Sequence, residues 1–347
     1  MLTILALLAT AASAQQRPQQ QPVQTIDHLV PHISTAHANK GDRVSLFMRE
    51  RRRAPSGPVV LLVHGRAAAA LPSFDLEYRD YSWLRYLADA GFDAFALDQQ
   101  GYGNSSKPSV MDDPCNTSAE NQKKFLIPKP LPAPCPPRYV QPFGSFASDW
   151  DEMDTAIEFI RSLRGDRALR INLVGWSRGG MRVIGYAATR ADRIEKLVAL
   201  NPTRFPPVTT VQGYPTNMTD KADFFAAWDE QIDATNCPGQ VDPSVREPLW
   251  RATIAQDTLG STWGAGVRRS PSFSAAGWTP DLPGRVRAPT LVIRGALDRQ
   301  APEPATRALH DALGGPKQYQ TVACASHEVP FEKQRTEVLE AIAAWLR

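Results

Sequence analysis

The sequence contains no uninterrupted apolar run of the about 20 residues that a bilayer-crossing helix requires, which argues against stable membrane insertion. It lacks a Cys-x-x-Cys spacing and a His pair at ligand spacing, so no zinc site is expected and the metal reading is none. Charge of one sign is missing too. The 39 Lys and Arg against 36 Asp and Glu leave a formal net charge of +3, with no electrostatic footprint for nucleic acid. The one basic cluster, Arg49, Arg51, Arg52 and Arg53, reads as a solvated hairpin tip. No internal repeat is visible.

Cysteine is scarce, and the four present allow three connectivities. Cys115 and Cys135 bracket a Pro-rich stretch and form the natural local pair; Cys237 and Cys324 then join by elimination. Oxidised pairs would suit an exported chain. Met1 to Ala14 supports export, because this short apolar run, although without Lys or Arg, ends Ala12-Ser13-Ala14. A signal peptide over residues 1–14 and a secreted or periplasmic location are therefore expected. The Gln/Pro-rich residues 15–24 should be disordered.

The 347 residues, 42% of them hydrophobic, suffice for one large core with a smaller module added. Two weak strand patterns, Thr25 to Ile33 and Arg43 to Met48, come first. Pro58-Val-Val-Leu-Leu-Val-His64 is then apolar without alternation, as suits a strand covered on both faces of a parallel sheet. A helix from Tyr81 to Ala90 and a strand from Ala94 to Leu97 follow.

The alternation continues with helix Asp149 to Leu163, strand Ile171 to Val174, helix Gly179 to Ala188 and strand Leu197 to Leu200. It resumes with strand Thr290 to Ile293, helix Glu303 to Leu313, strand Gln318 to Val322 and helix Lys333 to Leu346. The fold class is α/β, a doubly wound and mostly parallel sheet whose strands all end on one edge. Residues 25–202 and 288–347 form this core, with a disulfide-stapled loop at 111–146 and an inserted helical cap at 203–287 that is rich in Trp and Phe.

Gly175-Trp176-Ser177-Arg178-Gly179 places a serine between a strand and a helix, where a tight turn exposes the hydroxyl and the helix N-terminus offers N–H groups to an oxyanion. A serine needs a base. Of six histidines, His327 alone follows the last strand on the edge that carries Ser177. The acid that orients it should lie between the two in the chain, and Asp298 ends the strand that begins at Thr290. Asp298 could instead serve as a helix cap. The strand before the cap ends Ala199-Leu200-Asn201, without an acid. The backbone N–H groups of Arg66, or its neighbour Ala67, and of Arg178 are the expected oxyanion donors. His64 and Gly65 should support their loop.

The chain resembles the α/β-hydrolase superfamily, serine-nucleophile branch. The likeness is carried by His64-Gly65, Asp98-Gln-Gln-Gly-Tyr-Gly-Asn-Ser105, Gly175 to Gly179, Asp298 and His327, and covers nearly everything from residue 43 onward. Gln100 stands where that superfamily's common pattern has Arg. Asp113-Pro-Cys-Asn116 and Cys237-Pro-Gly239 look like segments of exported bacterial members of unassigned substrate. The resemblance implies hydrolysis of a carboxylic ester or similar small acyl compound, without cofactor. Peptidase, C–C hydrolase and perhydrolase activities share the triad. Dehalogenase and epoxide hydrolase chemistry needs an Asp where Ser177 stands, and a non-catalytic binding protein would usually lack a triad member.

Overall fold

A computed structural model describes residues 21–54, 57–66, 68–202 and 213–347. The expected signal peptide and most of the Gln/Pro-rich segment lie outside the described residues, although Gln24 already belongs to the first strand. Strands β1 (Gln24–Ile33) and β2 (Arg43–Arg52) form an antiparallel hairpin, followed by β3 (Val59–Val63) and β4 (Asp93–Leu97). After the two-residue β5 (Gly144–Ser145) come β6 (Ile171–Trp176), β7 (Ile194–Leu200), β8 (Thr216–Thr219), β9 (Arg268–Pro271) and β10 (Phe273–Ser274). The chain closes with β11 (Thr290–Gly295) and β12 (Lys317–Val322). Eight of these make one sheet in the order β1-β2-β4-β3-β6-β7-β11-β12, antiparallel only where β2 meets β1 and β4.

Successive side chains of a strand leave on opposite faces, and the central strands feed two cores. Val60 and Leu62 of β3 pack with Trp83, Leu87, Leu339 and Ile342 on one face; Val59, Leu61 and Val63 pack with Ile157, Ile160, Met181 and Leu309 on the other. All five residues of β3 are buried, which accounts for its unbroken apolar run. Helix Phe146–Arg164 begins three residues before the sequence pattern suggests. Ser145 and Ser148 form a capping box there, and Gly165, at φ 64°, ends the helix.

Two expectations need correction. The arginine cluster is not a solvated hairpin tip, because the β1–β2 turn lies at residues 34–42 and the arginines lie at the far end of β2. Arg49 pairs with Asp27 and Asp75, Arg51 with Asp75 and Glu77, Arg52 with Glu50 and Arg53 with Asp89. The inserted segment is not purely helical. Its described part holds helices Lys221–Asp229 and Arg246–Ala255, but β8 pairs with β9, and β10 pairs with β5 of the stapled loop. Neither Arg268-Arg-Ser-Pro271 nor Thr216-Asn-Met-Thr219 carries the apolar run that would announce a strand. Trp278, Leu282 and Val286, which the sequence puts in the cap, belong to the core.

Two disulfides are present, Cys115–Cys135 and Cys237–Cys324. Among the described residues no helix is long and apolar enough to cross a membrane.

Candidate active site

Ser177 stands between β6 and helix Arg178–Thr189 with φ 59° and ψ −123°, a conformation that an L-residue holds only when its surroundings enforce it. Its N–H is bonded to the Leu200 carbonyl at 2.8 Å. The glycines around it have steric reasons: a Cβ on Gly175 would meet the Gly179 carbonyl, and one on Gly179 would meet the Val63 carbonyl. Strand, turn and helix can therefore pass one another only at glycine.

His327 follows β12 on a loop and places Nε2 2.8 Å from Ser177 Oγ. Its Nδ1 lies 2.9 Å from Asp298 Oδ2. Ser177, Asp298 and His327 are 6%, 2% and 2% exposed, so water scarcely screens the chain of hydrogen bonds. Burial alone would favour the neutral ring, but the charge and hydrogen bond of Asp298 outweigh it and hold His327 above the usual imidazole value. Asp298 Oδ1 accepts the N–H groups of Gln300 and Ala301, each at 2.8 Å.

Facing the serine is the loop after β3. A Cβ on Gly65 would sit 3.0 Å from Ser177 Cβ and 3.4 Å from Oγ, so this backbone runs directly against the hydroxyl. Both nitrogens of His64 are engaged: Nδ1 donates to the Gly65 carbonyl at 2.8 Å, and Nε2 accepts from Gln99 N–H at 3.4 Å. Burial, with Arg182 and Arg178 adding to it, pushes this ring down to about 3, so it remains neutral and holds the loop. Arg182, paired with Asp149 at 2.6 Å, donates to the His64 carbonyl at 2.8 Å, and Tyr102 donates to the Arg66 carbonyl at 3.0 Å. Arg178 is the first residue of its helix, where an N–H has no partner one turn back. Ala67, the other sequence candidate in this loop, lies outside the described residues. Asp98 accepts from Ala70 N–H at 2.6 Å and Asn104 N–H at 2.9 Å, which ties the second loop of the edge. Gln100 accepts from Ser34 at 2.9 Å.

Most of the groups that position His327 were not legible in the sequence. Asn201, at the end of β7, donates to the carbonyls of Ser326 (2.9 Å) and His327 (3.1 Å) and accepts the Gly295 N–H at 2.8 Å. It thereby joins the strand that leads to Asp298 to the loop of His327. Trp176 Nε1 donates to the His327 carbonyl at 2.9 Å. From the inserted segment, Gln231 accepts the N–H groups of His327 (3.2 Å) and Arg299 (3.1 Å). Glu332 takes hydrogen bonds from Ser326, Trp228 and Gln240. Only the position of Asn201 at a strand end offered a signal. The two N–H groups that the Gln231 Oε1 accepts lie more than 60 residues away in the chain.

A cavity of about 120 Å³ opens beside Trp176, walled by Phe224, Trp228, Leu249 and Phe331 and reached by Arg66, Arg268 and Glu328. A second, polar cavity of about 350 Å³ lies beyond Arg66, lined by Arg178, Asn121, Tyr214, Thr216 and Ser272 among others. Among the described residues no cluster of His, Cys, Asp and Glu could hold a metal ion.

A model of the alpha/beta hydrolase family matches residues 60–341. Among curated proteins, epoxide hydrolase A of Mycobacterium tuberculosis is 41% identical over 61 residues, 17% of this chain and 16% of that relative. The match therefore spans about one sixth of the relative's length. Among solved structures, the thioesterase domain from the curacin biosynthetic pathway superposes with a TM-score of 0.57 at 14% identity, over 93% of this chain and 99% of that one. A thermophilic esterase from Thermogutta terrifontis gives 0.55 at 19% identity, over 92% and 98%. A serine hydrolase involved in carbazole degradation gives 0.55 at 14% identity, over 93% and 99%. At these identities the likeness is one of fold.

Proposed function

This chain belongs to the alpha/beta hydrolase family, and from that premise we propose that it is a serine hydrolase that cleaves a carboxylic ester or similar small acyl compound through an acyl-enzyme on Ser177. One observation carries the reading: Ser177 Oγ, both ring nitrogens of His327 and Asp298 Oδ2 form a continuous chain of hydrogen bonds at 2.8 and 2.9 Å. As Oγ attacks the acyl carbon, Nε2 takes its proton, and Asp298 stabilises the imidazolium that results. The backbone N–H groups of Arg66 and Arg178 hold the developing oxyanion. His327 then returns the proton to the departing alcohol, and the same sequence with water as nucleophile releases the acid. No metal or organic cofactor takes part. The two disulfides support an exported protein in an oxidising compartment.

A fluorophosphonate probe should label the protein at Ser177, and Ser177→Ala should abolish both labelling and hydrolysis of short p-nitrophenyl esters without changing the far-UV circular dichroism. Retention of more than a few per cent of activity in that variant would refute the nucleophile.

A further inference from the structure

We propose that the cavity beside Trp176, the residue before Ser177, contains an anion subsite built on Arg268, with Arg66 beside it and Arg178 beyond, and that the substrate is an acyl compound that also carries a carboxylate; this rests on the serine-hydrolase reading above. Neighbours on a strand point to opposite faces, and on β9 two adjacent arginines have opposite fates. Arg269 is neutralised, bonded to both oxygens of Asp257 at 2.7 to 3.1 Å and to Asp112 at 2.8 Å. Arg268 points into the cavity. It is 6% exposed, donates one hydrogen bond to Thr219 Oγ1 at 2.7 Å and lies 5.7 Å from the Phe224 ring centre. Its Nε and Nη1 are buried and find no hydrogen-bond partner among the described residues.

An unpaired buried guanidinium is costly, and burial pulls Arg268 down to about 10. Arg178 repeats the pattern across Arg66: it stacks 4.2 Å from the Phe273 ring centre, and its buried Nη1 has no partner among the described residues. Among the described residues Arg66, Arg178 and Arg268 form no ion pair. Of the two carboxylates on the cavity wall, neither pairs with Arg268 among the described residues. Asp223 pairs with Lys124. Glu328 accepts from Gln300 at 3.5 Å and, among the described residues, forms no ion pair with Arg268, although its charge acts on Arg268 from a distance. The vacant Nε and Nη1 of Arg268 open on different edges of the guanidinium; a carboxylate can engage Nη1 together with the second N–H of Nη2, whereas an uncharged substrate would leave the buried charge uncompensated.

The test compares matched esters. One pair carries the charge in the acyl part, p-nitrophenyl hydrogen glutarate against its methyl ester; the other carries it in the leaving group, 3-acetoxybenzoate against methyl 3-acetoxybenzoate. Wild-type kcat/KM, above the uncatalysed rate, should favour the charged member of at least one pair by about 10- to 100-fold, and Arg268→Gln should collapse that ratio. Arg268→Lys should retain part of it. Glutarate should also slow fluorophosphonate labelling of wild-type Ser177 and lose that effect in Arg268→Gln. If Ser177 labels normally but wild type shows neither charge preference nor glutarate protection, the subsite is overturned and the serine-hydrolase reading stands. If Arg268→Gln fails to fold, the Lys variant and the wild-type measurements decide alone. A Ser177 that does not label overturns both.

Discussion

The two oxygens of Asp298 have separate tasks, one holding the turn at Gln300 and Ala301 and the other meeting His327. The helix-cap alternative is not taken, because helix Glu303–Ala312 begins at Pro302 without a side-chain cap and Asp298 holds the turn ahead of it. Asp298→Asn should preserve most of the turn but favour the wrong imidazole tautomer, lowering kcat on the order of 10⁴-fold. The residual activity has a signed pH dependence. Activity needs the neutral ring, and Asp298 raises the His327 pKa, so the acidic limb of kcat/KM should move to lower pH in the variant. A limb that stays in place or moves upward would remove Asp298 from the triad. Ser177 permits a test of strain. Glycine is ordinarily about 0.5 to 1 kcal/mol worse than alanine inside regular structure. At φ 59° the order should invert, so Ser177→Gly should melt no lower than Ser177→Ala by calorimetry, both being inactive.

The element that carries the serine was legible because its constraints are local. Val59 to Val63 announces a doubly covered strand, and Gly175-x-Ser-x-Gly179 announces a turn in which backbones touch. The choice of His327 followed from its place after the last strand. What stayed hidden depends on contacts between distant segments. Asn201 looks like any polar strand end until three carbonyl and amide partners surround it, and β9 carries its two arginines for reasons that lie outside its own four residues. Asn201→Ala should leave buried groups unpaired, costing about 1 to 3 kcal/mol of stability in urea unfolding. It should also lower kcat more than it raises KM, because it loosens the seat of the base without touching the cavity.

For the molecule as a whole, the disulfides differ in reach, closing sequence separations of 20 and 87 residues. In the chain-entropy account these contribute about 3 and about 4.5 kcal/mol. Thermal melts of Cys115→Ser/Cys135→Ser and Cys237→Ser/Cys324→Ser should therefore show the larger loss in the second pair. An equal or reversed order would mean that native-state packing, not the unfolded chain, sets their value. The longer link has another effect. Cys324 lies three residues before His327, and Cys237 lies six after Gln231, which accepts the His327 N–H. The inserted segment is riveted to the body of the enzyme beside the base. Held there, and tied to the stapled loop by the β10–β5 pair and by Arg269 on Asp112, the segment keeps Gln231 fixed against the backbone of His327.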